Sequence, residues 1–277
     1  MFLPLFFCII NVIYRGVCFF ADSPDSEDSM IRLILVALLL FGFLIASIPH
    51  ILWLKKGGKL SELPVQNHAL QVVQAMFRLI LRVSGVELEV RGRENIPEKA
   101  VLFVGNHRSY FDVLAGYVAV PDRLGFVAKK EMKRYPLLSD WMVAVNCLFL
   151  DRENIKEGLK TILEGIEKVK SGISIWVFPE GTRNDNEDIL DMLPFKEGSL
   201  KIAEKSGCPV VPVALTGTAE IFEKHIPFIR SGKVTIEFGT PFYIKELSAE
   251  DKKRAGVYTR QRILDMLAAE KQRRGMN

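Results

Sequence analysis

Hydrophobic and polar positions fall into three regimes along this chain. Between residues 33 and 54 the run LILVALLLFGFLIASIPHILWL carries no Asp, Glu, Lys or Arg over 22 positions. About 20 apolar residues in a helix cross a bilayer. The run therefore predicts a transmembrane helix over residues 30–54, with Trp53 near one interface and Lys55, Lys56 and Lys59 just outside it. Pro49 and His50 are expected to weaken only its last turn. An earlier apolar run, residues 1–20, is broken by Arg15, and the acidic ADSPDSEDS separates the two. A signal peptide fits poorly, because charge normally precedes its apolar run. Two readings of residues 1–29 stay open: a first membrane helix with an acidic external loop, or an extension upstream of a start at Met30.

The second regime covers residues 55–84. In NHALQVVQAMFRLILRV, residues 67–83, Gln71, Gln74, Arg78 and Arg82 recur at intervals of three and four. That is one narrow polar stripe on an otherwise apolar helix. Such a helix suits a membrane interface with Arg at the headgroups, or packing against the following domain.

From residue 85 the period shortens. Strands are predicted at 86–90, 100–105, 125–129, 147–151, 173–178, 210–215 and 233–238, and helices at 110–119, 130–145, 154–171 and 197–206. Several of the strands, such as AVLFVG and VVPVAL, are apolar throughout, as in a sheet covered on both faces. Alternating strands and helices predict an α/β domain over residues 85–277, with a mixed, mostly parallel sheet flanked by helices. Ser248 and Asp251 fit a capping box opening a C-terminal helix that carries Ile263, Leu264 and Leu267.

Charge adds an orientation. Of 37 basic residues 35 lie beyond residue 54, as do 29 of 33 acidic ones, a net +6 for the body. Lysines after the membrane run place the body on the cytoplasmic side of the inner (plasma) membrane. A positive body suits an anionic membrane surface or an anionic substrate. Cys147 and Cys208 flank predicted strands without zinc-ligand or CxxC spacing and read as buried thiols.

Candidate chemistry sits at strand ends, where open α/β sheets gather their sites. NHRSYFD, residues 106–112, follows an apolar strand and puts His107 five residues before Asp112. Asp112 can orient His107 as a general base. It can equally close a capping box with Ser109. FPEGTR, residues 178–183, ends another strand with Glu180 and Arg183, and FLDR ends a third with Arg152. Arginine binds phosphate through paired hydrogen bonds. FKEG brings Lys196 before a helix. The chain has no G-x-S-x-G elbow, no phosphate loop of the G-x-x-x-x-G-K-[ST] kind and no H-E-x-x-H. A nucleophile would then come from the substrate.

NHRSYFD, FLDR, FPEGTR and FKEG…VVPVAL, in this order and roughly at these spacings, resemble the motif blocks of the glycerolipid acyltransferases, in particular the lysophosphatidic acid acyltransferases. The resemblance covers about residues 85–245. It implies transfer of a fatty acyl group from acyl-CoA or acyl-carrier protein to the sn-2 hydroxyl of lysophosphatidic acid, giving phosphatidic acid at the membrane bilayer. It implies His107 as base and Asp112 as its partner. Arg152, Glu180, Gly181, Thr182, Arg183 and Lys196 become acceptor-binding positions. No metal, cofactor or nucleic acid is expected. The sequence departs from the family pattern at Asn146, where glycine is usual, and at Asn184, where serine is usual. Acylation of another lyso-lipid, a phospholipase using the same pair with water, and a lipid-binding protein are the alternatives.

Overall fold

A computed structural model describes residues 26–57, 60 and 62–275. The first apolar run and most of the acidic stretch lie outside the described residues. The apolar run at 33–54 lies in one helix, α1 (Ser26–Lys56), long and apolar enough to cross a membrane. It starts four residues before Met30, and Pro49 does not end it. Its contacts with the domain run along its whole length. Arg32 packs on Gly85, Trp141 Nε1 donates to Ser47 Oγ at 2.9 Å, and Lys55 pairs with Asp140 at 3.0 Å. One side of α1 is therefore covered by the domain, while Leu38, Phe41 and Ile45 on the other side stay open.

α2 (Leu63–Val83) packs on the domain. Val73, Met76 and Ile80 are buried, and Gln71, Arg78 and Arg82 are exposed. Gln74 leaves the polar stripe. It is buried and donates to Tyr117 O and Val120 O at 3.0 and 2.8 Å, closing the end of a neighbouring helix.

Seven strands follow: β1 (Val86–Arg91), β2 (Leu102–Gly105), β3 (Leu124–Lys129), β4 (Leu148–Leu150), β5 (Ser174–Val177), β6 (Val210–Thr216) and β7 (Gly232–Phe238). They form one sheet in the order β1-β7-β6-β2-β5-β3-β4. Every neighbouring pair is parallel except β6 and β7. Between the strands lie α3 (Phe111–Ala119), α4 (Leu138–Ala144), α5 (Ile155–Lys170), α6 (Lys201–Ser206) and α7 (Thr218–Ile221). α8 (Ala249–Lys253) and α9 (Ala255–Arg273) close the chain.

Side chains alternate across the sheet as the two-residue period requires. Phe103, Trp176, Val211 and Val213 point into one core with α1 to α4. Leu102, Val104, Ile175 and Val177 point into the other with α6 and α9. Both faces of the central strands β2, β5 and β6 are covered, which explains strands apolar at every position. Two expected helices differ. Residues 130–145 break into a 3-10 turn at Lys130–Arg134 and then α4, because Pro136 lacks a donor and Leu137 takes a positive φ of 64°. Residues 197–206 open as a 3-10 turn, with α-helix only from Lys201. Ser248 accepts from Asp251 N at 3.0 Å as the capping box requires.

Candidate active site

β2 to β6 all run in one direction, so their C-terminal ends share one edge of the sheet. β2 lies between β5 and β6, which sets the turn after β2 beside the turn after β5.

The turn after β2 carries His107. Its Nδ1 lies 2.8 Å from Asp112 Oδ2. That oxygen also accepts from Arg108 N at 2.7 Å and Ser109 N at 2.8 Å. The carboxylate thus ties down the backbone just ahead of α3 and holds the imidazole at once, while Ser109 Oγ accepts from Phe111 N rather than completing a capping box with Asp112. Asp112 is fully buried, whereas His107 keeps 18% of its side chain exposed. Phe178 stacks on the imidazole at 4.1 Å and 10° between planes. Ring and partner are therefore held from two sides, and His107 faces a cavity.

The cavity is about 440 Å³ and mostly apolar. Leu40 and Phe43 of α1, Met76 of α2, Leu114 of α3 and Trp141 of α4 belong to its wall. Arg152, Gly181, Thr182, Arg183 and Lys196 line it together with His107. Five residues of the expected acceptor-binding set are thus assembled from three separate turns. Arg152 also donates to Gly181 O. Gly181 needs its lack of a side chain: its φ is +80°, and a Cβ there would lie 2.8 Å from Lys196 Nζ. Lys196 N in turn donates to Pro179 O at 3.0 Å.

Glu180 is placed differently from its sequence expectation. It does not line the cavity. Its buried carboxylate accepts from His107 N at 2.8 Å and Leu193 N at 3.0 Å, bracing the histidine turn from behind. Burial pushes its pKa up, against those two backbone hydrogen bonds. Arg183 does not pair with Glu180 either. Its Nη1 meets Glu223 at 3.1 Å and its guanidinium stacks on Tyr110 at 3.8 Å.

The two departures from the family pattern have local causes. Asn146 has φ of 64°, a left-handed conformation that glycine takes freely and asparagine tolerates. Asn184 is buried. Its backbone N donates to His107 O at 2.7 Å, and its side chain bonds Asp191 O and Asn186 N, closing the acidic loop. Neither asparagine lines the cavity.

Sequence reasoning missed Lys129, Tyr110, Phe178 and Glu223. Lys129 ends β3 at the same sheet edge and lines the cavity, so the strand-end rule could have found it. Glu223 carries no sequence signal; it comes from the turn after α7, 40 residues beyond Arg183. Among the described residues no cluster of His, Cys, Asp and Glu is arranged to hold a metal ion.

A strand-end His–Asp pair and cationic side chains thus share the wall of one mostly apolar cavity, and the chain's relatives place it in the class of acyl-transfer enzymes. The chain belongs to the acyltransferase family, whose pattern matches residues 87–216. It is similar to relatives named 1-acyl-sn-glycerol-3-phosphate acyltransferase. One, from Borreliella burgdorferi, is 30% identical over 197 residues, covering 71% of this chain and 78% of the relative. Another, from Saccharomyces cerevisiae, is 29% identical over 205 residues, 73% and 67% of the two chains. The crystal structure of the 1-acyl-sn-glycerophosphate (LPA) acyltransferase PlsC from Thermotoga maritima superposes with a TM-score of 0.68 at 26% identity, over 88% of this chain and 98% of that one.

Proposed function

We propose that this enzyme acylates the sn-2 hydroxyl of 1-acyl-sn-glycerol-3-phosphate from an acyl thioester, acyl-CoA or acyl-carrier protein, giving phosphatidic acid for phospholipid synthesis. The observation that carries this reading is the His107–Asp112 pair at the wall of a cavity both apolar enough for an acyl chain and cationic where the pair sits. The names of the relatives support the acceptor.

A hydroxyl becomes a competent nucleophile as its proton leaves. His107, with Nδ1 committed to Asp112, takes that proton on Nε2 while the oxygen bonds to the thioester carbonyl carbon. Asp112 stabilises the imidazolium. When the tetrahedral species collapses, the C–S bond breaks and the thiolate takes the proton from the imidazolium. Arg152, Arg183 and Lys196 hold the acceptor phosphate, with Gly181 and Thr182 shaping the turn beneath it. Glu180 acts one step back, on the His107 backbone. The acyl chain lies among the apolar wall residues.

Residues 85–277 are read as the catalytic unit and residues 55–84 as a membrane-proximal segment packed on it. The open apolar side of α1 holds the unit at the bilayer, on the cytoplasmic face that the basic body favours. The test is acyl transfer by the purified chain in mixed micelles, with acyl-CoA and acyl-carrier protein as donors and a panel of lyso-lipids as acceptors. Phosphatidic acid formed only with thioester present is the expected result. Fatty acid release from a diacyl lipid without thioester would replace this reading with a hydrolase.

A further inference from the structure

Away from the cavity, the turn between α7 and β7 presents a second apolar feature. Ile226 and Phe228 are 62% and 42% exposed, while Ile221 and Ile229 on either side are buried in the core. Backbone bonds from Phe228 N to His225 O at 2.7 Å and from Arg230 N to Ile221 O at 2.9 Å close the turn. The tip is thus held outward by a rooted frame.

A single exposed apolar residue is ordinary; the position of these two is what matters. Ile229 N faces Ser29 O of α1 at 3.4 Å, and Ser231 and Arg32 both crowd Gly85. The turn therefore abuts the start of α1, whose exposed row begins with Met30, Ile34 and Leu38. That spacing places the three on one helix face. Exposed Lys224 and Arg230 flank the tip. Apolar side chains beside basic ones suit the boundary of an anionic bilayer. At the root of the same turn, Glu223 accepts from Tyr110 N at 2.8 Å and holds Arg183.

We propose that the Ile226–Pro227–Phe228 tip is a second membrane contact. It enters the headgroup–acyl boundary of an anionic bilayer beside α1 and, through Glu223, sets Arg183 at the height of lipid phosphates. This rests on α1 facing the bilayer and on the acceptor being a membrane lipid, as proposed above.

Two measurements on the full chain in phosphatidylglycerol–phosphatidylcholine vesicles test it. In the first, Phe228→Trp is compared with the unsubstituted chain, using lipids brominated near the headgroup and aqueous iodide as quenchers. The added tryptophan should be quenched by the lipid and shielded from iodide. Quenching by iodide as efficient as in detergent-free buffer, with none by lipid, overturns the proposal. In the second, Ile226→Asp combined with Phe228→Asp should raise the KM for vesicle-borne acceptor at least about tenfold, since two apolar side chains leave the bilayer boundary and two carboxylates meet an anionic surface. The KM for a short-chain acceptor dissolved as monomer should stay unchanged. An unchanged vesicle KM, or an equal rise with both acceptors, overturns it. If the unsubstituted chain acylates neither acceptor, the proposed function fails, and the quenching result still decides the membrane contact.

Discussion

His107 depends on four neighbours: Asp112, Phe178, and the backbone bonds that Glu180 and Asn184 make to its N–H and C=O. Replacing it by Ala removes the base and leaves that frame standing. Turnover should fall by on the order of 10²–10⁴, with the unfolding midpoint in urea close to that of the native chain. Near-normal turnover in purified His107→Ala would sink the mechanism. Arg183 offers a separate test. Losing a charge-assisted hydrogen bond of about 1.5–3 kcal/mol should raise the acceptor KM roughly 10- to 150-fold in Arg183→Ala and leave the donor KM nearly alone. Glu223→Gln keeps a neutral acceptor for Tyr110 N and weakens only the hold on Arg183. Its acceptor KM should rise by about fivefold, for roughly 1 kcal/mol of lost charge assistance. Equal changes in donor and acceptor KM for either variant would assign these residues a structural part instead.

Among the elements, β1 and α9 show how the sheet edge is held. Glu270 of α9 is 3% exposed and meets Arg91 of β1 at 2.5 Å, Arg273 at 2.9 Å and Arg274 at 2.8 Å. Burial alone would push its pKa up. Hydrogen bonds from Arg274 and Arg91 outweigh that and hold it below the ordinary 4.5. A carboxylate depressed in the folded state contributes stability that is present above the unfolded value and lost as pH falls through the folded one. Glu270→Gln should therefore lower stability at pH 7 by about 2 kcal/mol, discounted because its arginines are partly solvated. The deficit should shrink as the pH is taken below 4.5. Urea unfolding of both chains at neutral and acid pH checks this, and a deficit independent of pH would show that packing rather than charge is lost. The elements also show where periodicity stops being informative. The central strands β2, β5 and β6 were legible because two-sided burial writes continuous apolar runs, and β1 and β7 because their apolar residues alternate with polar ones. The split of residues 130–145 was not, since Leu137 in the left-handed region has no sequence signature of its own.

For the whole molecule, the cavity is the property no single element has. α1, α2, α3 and α4 each supply part of its wall, so its volume depends on how four helices pack on one face of the sheet. Val73 of α2 lines it and is largely buried. Val73→Phe fills part of the space and should shift the donor preference toward shorter acyl chains, with a packing penalty of about 1–3 kcal/mol. Comparing kcat/KM across a series of acyl-chain lengths is the measurement. A uniform drop at every length would place the acyl chain elsewhere.

What the sequence determined by itself is local. An uncharged 22-residue run makes an apolar helix. Continuous apolar strands imply a sheet buried on both faces. Asp112 five residues after His107 is close enough for one carboxylate to hold the ring and the backbone N–H groups of Arg108 and Ser109, because these interactions close within a single turn of chain. The tertiary structure decided whatever depends on packing between distant segments. It took Gln74 out of an exposed stripe to cap Val120, and moved Glu180 from the cavity wall to a support behind His107. It brought Glu223 to Arg183. It laid one side of α1 along the domain, where length and apolarity alone gave no direction. The physical reason is the same in each case. A side chain's role follows from which surface remains open after the helices and sheet have packed, and residues far apart in sequence share that outcome without any local pattern to record it.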